Sequence, residues 1–388
     1  MSSQGRGAHA GGAESSVTAL SVGLLGRGHS VELLQAFPDG LPALPGTKRT
    51  ILHESDWHES QVRRVKNHVG DVLSLPRQRL DRIVALAGPD VVHTHNLPGF
   101  GTGIWEIARR RGIPVVHTTH DYHLLCPRVT LARRDGEPCQ PSPLLCGLRT
   151  RALTRWSGAV SHLTGVSQYV VDLHRPLFPG ADLHVIRNPF TADIAVSRSP
   201  GPAPKVIGYI GSLDANKGVD RLLEAARRLA TQGCSTRIAG DGRLRAEVEA
   251  AAADPGSGVT YDGPVSASAK SEFLAACDLG VVPSVWAEPG GPNRTMIEWL
   301  LAGRPVLISR RGGLGEVADL YPGSVALEPT EEGIVEAVQA LLEPGAWETA
   351  LARAGAMVAG TEDAMTGWVE AYEQVLEAAR AGLPREVR

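Results

Sequence analysis

The alternation of short apolar runs with amphipathic helical stretches constrains this chain more than any other feature. In the second half, KVIGYIG (205–211), STRIAG (235–240), VTYDG (259–263), LGVVPS (279–284) and RPVLIS (304–309) each read as a buried strand. Between them lie helical segments. Leu222, Leu223, Ala226 and Leu229 fall on one face of a helix starting near Val219, Leu244 to Val248 is in helical register, SEFLAACDLG carries a helix into the next strand, and TMIEWLLAG (295–303) closes at Gly303. Strand–helix alternation with short connections predicts a parallel sheet covered on both faces. The first half follows the same rule less tidily. Val17 to Leu25 reads as a helix, VELLQAF (31–37) as a strand, LDRIVALAG (80–88) as a helix and PDVVHTH (89–95) as a strand. GIWEIARRRG (103–112) is then a helix and IPVVHTTH (113–120) a strand, with LTGVS (163–167) and LHVIRNP (183–189) completing the set. The expectation is an α/β chain of two Rossmann-like parallel-sheet domains facing across a cleft, with ligands just outside the carboxyl ends of the strands.

The 388 residues suffice for two domains, and 43% hydrophobic against 21% charged residues is a globular balance. The net charge of −3 excludes a bulk nucleic-acid-coating polycation. No apolar run reaches the ~20 residues of a membrane span. MSSQGRGAHAGG has neither a basic nor an apolar leader region, and five cysteines are too few for a disulfide framework, so a cytoplasmic protein is expected. Residues 1–195 hold 21 basic and 16 acidic groups (+5), leaving 18 and 26 (−8) for residues 196–388. The stretch SRSPGPAPK (197–205) lies at that shift, which predicts an N-terminal domain over 1–196, a second over 205–360, and a terminal helix over 361–388. The N-terminal surplus, including Arg63, Arg64, Lys66, Arg77, Arg79 and Arg82, is a solvated face or at most a peripheral membrane contact.

Four strand-end segments carry candidate chemistry. In PSVWAEPGGPNRTMIEWLLAGRP (283–305) a Gly/Pro loop with Gly290 and Gly291 leads into a helix at Arg294 or Thr295, framed by Glu288 and Glu298. Such a helix start suits a phosphate, and carboxylates suit sugar and ribose hydroxyls. Read blandly, the two glutamates are a loop charge and an ordinary helix residue. GYIGSLDANKG (208–218) is a Gly-rich turn where Gly211 permits close approach and Lys217 could reach a pyrophosphate; it is neither a Walker loop nor a dinucleotide fingerprint. GGAESS (11–16) opens a helix at Gly11 and Gly12. HTHNLPG (93–99) and HTTHDYHLLCP (117–127) bring five histidines to strand ends, with the pair His120–Asp121 the most suited to hydrogen bonding or proton transfer. Cys126, Cys139 and Cys146 with His123 could supply zinc ligands, but the C-x12-C-x6-C spacing lacks a tight pair. Cys234 and Cys277 read as core thiols.

Together these segments resemble glycosyltransferase family 4, the retaining nucleotide-sugar transferases of GT-B fold. The likeness runs in order through GGAE (11–14), PDVVHTHN (89–96), IPVVHTTHDYHLLCP (113–127), GVSQYV (165–170), GYIGSLDANKGVDRLLEA (208–225), IAGDGRLR (238–245) and EPGGPNRTMIEWLLAGRPVLISRRGGLGEV (288–317). The resemblance implies a nucleotide-sugar donor held mainly by the C-terminal domain and a hydroxyl acceptor (glycan, lipid or secondary metabolite) held mainly by the N-terminal one. It implies Lys217 on the pyrophosphate, Glu288 near the donor sugar, Glu298 near the ribose, His120 against the sugar, and Gly11 and Gly12 in a loop closing over the diphosphate. Gly211, Ser212, Asp241, Gly242, Gly290, Gly291, Arg294 and Thr295 complete the implied substrate site. No metal or other cofactor, no nucleic acid and no protein nucleophile are implied.

Three departures stand out. Ser212 occupies the place of a usual basic residue, with Arg294 and Arg243 as candidate substitutes. The glutamates are spaced E-x9-E, two residues longer than the family pattern. A hydrophobic strand normally precedes GGAE in the family, and MSSQGRGAHA cannot form one, so either the start has been lost or misassigned, which is the expectation, or the N-terminal sheet lacks its first strand; in the first case a chain extended at its start is expected to be more stable. Trp368, Tyr372, Val375 and Leu376 give the terminal helix an apolar face, directed at the N-terminal domain by the resemblance and at its own domain by the simpler reading. Two other functions remain compatible: a sugar-nucleotide 2-epimerase and a non-catalytic nucleotide-sugar binder.

Overall fold

The computed structural model describes residues 12–36, 44–53, 68–75, 77–133, 136–139, 144–188, 194, 199–290, 293–321, 323–358 and 362–382. They fall into two units. One gathers the described residues up to Val129, those between Gln140 and Pro189, and the chain from Thr366 onward; the other gathers those of Thr130–Cys139 and Phe190–Met365. The division at Pro189 lies ahead of the Pro-rich stretch, and the excursion Thr130–Cys139 has no counterpart in a single-boundary reading. That excursion is tied to the second unit by Glu137–Arg221 (2.7 Å) and by Gly136, which packs against the Ala215 carbonyl.

The second unit is built on six parallel strands: β7 (Val206–Ile210), β8 (Ser235–Ala239), β9 (Val259–Gly263), β10 (Leu279–Val282), β11 (Val306–Ser309) and β12 (Ser324–Leu327). Their order is β12-β11-β10-β7-β8-β9. Numbered within the unit this is 3-2-1-4-5-6 read from the β9 edge, the dinucleotide-fold order, whose direction reverses between β7 and β10. Five consecutive apolar or glycine positions bury β7, and β10 and β11 are buried throughout, as strands covered on both faces must be. The Trp299 indole lies across β7 and β10, filling the space that side chains at Gly208 and Gly280 would need. Gly280→Ala is therefore expected to cost about 2–3 kcal/mol by overpacking. Chemical denaturation checks this, and an unchanged midpoint would refute it.

The first unit carries β1 (Glu32–Gln35), β2 (Lys48–Ile51), β3 (Val92–Thr94), β4 (Val115–Thr119), β5 (Val160–Gly165) and β6 (Asp182–Val185). All pairings are parallel, but they form two sheets, β1-β2 and β3-β4-β5-β6. Trp105, Leu80, Leu163 and Phe178 lead its core. The helix Glu362–Ala381 buries Trp368, Tyr372 and Val375, and its Glu373 bonds Arg27 at 2.7 Å and His29 at 2.6 Å. Val369 sits where a Gly23 side chain would be, so the two helices touch closely.

Candidate active site

Three loops at the carboxyl ends of β7, β8 and β10 are locked together by backbone contacts. Gly211 N–H donates to Ala239 O, Leu213 N–H to Asp241 O and Leu244 N–H to Leu213 O, each at 2.8–3.0 Å. A side chain on Gly240 (φ +140°) would run into the Gly211 carbonyl, and one on Gly242 into Leu213. On the other side Gly218, in the left-handed region at φ +72°, leaves no room between itself and the Pro283 carbonyl, and Val285 N–H donates to Asn216 O at 3.0 Å. Only glycine satisfies both the backbone angle and the close approach. The result fixes the short 3-10 turn Ala215–Lys217 against the loop after β10.

That clamp brings Lys217 to Glu288 across the switch point. Lys217 Nζ stands 2.8 Å from Glu288 Oε1, with side chains 27% and 8% exposed. Ser284 donates a hydroxyl hydrogen bond to the same oxygen, and Asn293 Nδ2 donates to Oε2 at 2.7 Å. Burial pushes the Glu288 carboxyl up, but the Lys217 charge and the three hydrogen bonds outweigh it and hold it below its ordinary value. Lys217 also lies 5.2 Å from the Trp286 ring centre. Asn293 serves the adjoining helix as well, because its Oδ1 accepts from Met296 N–H at 3.2 Å and caps Arg294–Leu301. Glu288 itself is pinned by a parallel bridge to Gly312, and its carbonyl accepts from Gly313 N–H at 2.8 Å.

Glu298 forms a second group one turn into that helix. Its side chain is 4% exposed, and Oε1 meets Lys270 Nζ at 2.6 Å and Arg294 Nε at 3.1 Å. Arg294 reaches it by i,i+4 spacing. Lys270, brought in by the helix Ala267–Ala275, was not singled out from the sequence, and neither were Ser284 and Asn293; an asparagine directly ahead of a helix start is the one signal that could have found Asn293. Asp214, 7% exposed, holds Arg243 at 2.7 Å, three residues before Lys217. Of the two cations considered as substitutes at Ser212, Arg243, on the turn after β8, is thus paired to the Lys217 loop through Asp214, while Arg294 pairs with Glu298. Gly211 lies 3.1 Å from the Tyr209 hydroxyl at its Cβ position, and that hydroxyl donates to Ser212 O at 2.7 Å. Asp241 is exposed on the turn after β8, and its carboxylate accepts from Gly242 N–H at 2.9 Å. Gly290 (φ +84°) packs on Gly313, and Thr295 is half-buried.

In the other unit, His120 directly follows β4. Its Nε2 is 3.0 Å from His95 Nδ1, and the His93 ring lies tilted at 40° to His95 with centroids 4.1 Å apart. Burial drives His93 and His120 down to about 3 and holds His95, His117 and His123 well below the imidazole range. Their folded values lie below the unfolded one, so the stability they carry is complete above about pH 6.5 and is lost as pH falls from there towards 3. Calorimetry between pH 7 and pH 5 should show the N-terminal unit's Tm falling by ~5 °C or more. A flat Tm over that range would refute the neutral cluster. Asp121, its carboxyl raised by burial, accepts from His123 N–H at 2.7 Å. Gly12 opens the helix Gly12–Gly26, whereas Gly11 and Gly291 lie outside the described residues. All five cysteines are free, and among the described residues no three or more His, Cys, Asp or Glu side chains are grouped to hold a metal. No helix among them is long and apolar enough to cross a membrane.

Residues 10–193 match the family described as Glycosyltransferase Family 4, and residues 204–344 match Glycosyl transferases group 1. An uncharacterized 42.6 kDa protein of the cps region in Klebsiella pneumoniae is 26% identical over 83% of this chain and 87% of its own length. D-inositol 3-phosphate glycosyltransferase of Mycobacterium marinum is 25% identical over 77% of this chain and 66% of its own. For 2-deoxystreptamine glucosyltransferase of Streptomyces kanamyceticus the figures are 29%, 51% and 50%. Among solved structures, sucrose-phosphate synthase from Thermosynechococcus elongatus superposes with a TM-score of 0.70 at 18% identity, covering 95% of this chain and 94% of that one. Anabaena HepE in complex with UDP and glucose gives 0.62 at 16% identity, covering 96% and 97%. Two family matches in chain order, the dinucleotide-fold sheet of the second unit and the GT-B structural relatives lead to one assignment: the chain belongs to glycosyltransferase family 4 and is a transferase of GT-B fold.

Proposed function

We propose that the protein transfers a sugar, with retention of anomeric configuration, from a nucleoside-diphosphate sugar (UDP- or GDP-linked) to a hydroxyl-bearing acceptor. The observation that carries this reading is the Lys217–Glu288 pair held across the β7/β10 switch point. In this reading the ammonium meets the diphosphate and the carboxylate beside it, acceptor-only in its chemistry, takes hydrogen bonds from sugar hydroxyls. The bond between the anomeric carbon and the diphosphate oxygen breaks, the acceptor oxygen joins that carbon on the same face, and the acceptor's proton passes to the departing phosphate. Lys217, with Arg243 of the turn after β8 held to Asp214 on the Lys217 loop, offsets the charge that develops on the leaving group. Glu298 accepts from the ribose hydroxyls, and the neutral His120 offers a hydrogen bond to the sugar. No side chain is assigned as a nucleophile, and no metal has a role.

Incubation with UDP- and GDP-sugars tests this. Slow release of free nucleotide, with an α-linked donor giving an α-linked product by NMR, supports retention. Interconversion of the sugar without nucleotide release would instead identify an epimerase, and binding without turnover a silent protein. Because the reading uses no metal, EDTA is expected to leave the rate within twofold; a loss of ~10-fold or more would overturn that part.

A further inference from the structure

The segment Thr130–Cys139 groups with the second unit although the chain on both sides of it belongs to the first. Its described residues form a narrow hairpin. Ala132 and Pro138 make an antiparallel bridge, while Arg133 N–H donates to Glu137 O and Cys139 N–H to Leu131 O, each at 2.8 Å. Val129 and Leu131, at the way in, hold φ values of +64° and +54°. Neither is glycine, and a β-branched residue such as Val129 is strained there. Strained backbone persists only where the surrounding structure imposes it, and such places cluster at functional sites.

Beyond that strained entry the hairpin meets the turn that carries Lys217. Gly136 is buried at φ +86°, and a side chain on it would stand 3.0 Å from the Ala215 carbonyl oxygen and 3.2 Å from Asn216 Cα. Glu137 Oε1 accepts from Arg221 at 2.7 Å. Arg221 lies in the first turn of the helix Val219–Ala230, directly after the Lys217 turn, and also donates to Pro329 O at 3.1 Å. The turn itself is a single 3-10 turn, closed by Lys217 N–H to Asp214 O and Gly218 N–H to Ala215 O at 2.9 Å. So short an element takes its rigidity from its neighbours. The loop after β10 holds Asn216 and Gly218, and the hairpin adds a second hold on Ala215 and Asn216.

We infer that the hairpin Thr130–Cys139 is a brace for the Lys217 ammonium, with Gly136 and Glu137 as its positioning residues. The inference rests on the reading of Lys217 as the partner of the diphosphate. Lys217 is 27% exposed, so its long side chain is aimed by the backbone of the turn and by Glu288 more than by close packing. Moving that backbone moves the ammonium away from the charge it has to meet, and displacements of about 1 Å are enough to cost ~10²-fold in rate.

Gly136→Val and Glu137→Lys test this, each in the native chain and beside Lys217→Ala. The first drives methyl groups at the Ala215 carbonyl. The second sets a cation against Arg221 from a side chain that is 52% exposed, a surface change the fold tolerates. Amide exchange is read without nucleotide. Lys217 and Gly218 should exchange faster by ~10-fold or more in Gly136→Val and by about threefold in Glu137→Lys, with Val259–Gly263 unchanged. For nucleotide release from UDP- and GDP-sugars, kcat/KM should fall ~10-fold or more in the first variant and about threefold in the second. Beside Lys217→Ala both losses should shrink to within about twofold, because the group being positioned is gone. Equal fold-losses in the two backgrounds would make the hairpin a folding element only and overturn the proposal. So would unchanged exchange at Lys217. Faster exchange in a chain that uses no nucleotide-sugar would support the brace and count instead against the diphosphate reading. Should Gly136→Val not fold, Glu137→Lys carries the same comparisons.

Discussion

Replacing Lys217 by alanine is expected to lower kcat/KM for the nucleotide-sugar by about 10²–10³-fold, the usual effect of removing one preorganised electrostatic group at a developing charge. The same change strips Glu288 of its only ion-pair partner among the described residues, leaving a carboxylate of 8% exposure with Ser284 and Asn293 alone. An isolated buried charge is costly, but Lys217 is 27% exposed and its side of the pair is partly screened, so a stability loss of about 2 kcal/mol is expected. Without the ammonium, burial would dominate at Glu288 and raise its carboxyl above the unfolded value, so the variant's deficit should be greatest at and above neutral pH and should shrink as the solution is acidified and the native carboxyl takes up a proton. Lys217→Arg keeps the charge and should restore most of the stability and part of the rate. Nucleotide affinity by calorimetry and Tm at pH 7 separate the two effects. Unchanged affinity for UDP and GDP in Lys217→Ala would sink the pyrophosphate role.

Glu298→Gln should act differently. The amide keeps the size and one acceptor oxygen but leaves Lys270 and Arg294 without a countercharge at 2.6 and 3.1 Å. Because a ribose contact is made equally in ground and transition states, KM for the donor is expected to rise about 10–100-fold with kcat within about threefold. Tm should fall modestly, by ~2–4 °C. A normal KM with the same fall in Tm would assign Glu298 to structure alone. Lys270→Met provides the complementary measurement: if Lys270 only positions Glu298, it should reproduce part of the KM increase without affecting kcat.

The strands and helices that carry these residues were legible because each is written in local period. The alternation through 205–309 placed β7 to β11 to within a few residues, and the helix starting at Val219 falls where its apolar face begins. Lys217, Glu288 and Glu298 stand out in the sequence because they flank strand ends and a glycine-rich loop, and the structure gives each a close ionic partner. Less was visible where the signal is weak or remote. The half-buried strand Lys48–Ile51 has no apolar alternation, and the helix Leu145–Leu153 leaves Leu145 and Leu148 exposed. Ser284, Asn293 and Lys270 matter only through what they touch, and the Thr130–Cys139 excursion is fixed by contacts with residues some 80 positions away.

By itself the sequence determined the types and order of most elements and the strand-end segments proposed for the chemistry, since backbone propensity and side-chain period act over a few neighbouring residues. The tertiary structure alone decided the strand order within each sheet and the pairing of Lys217 with Glu288 and of Lys270 with Glu298. Those outcomes depend on which distant segments come into contact. Burial then sets their electrostatics, and no local pattern encodes it.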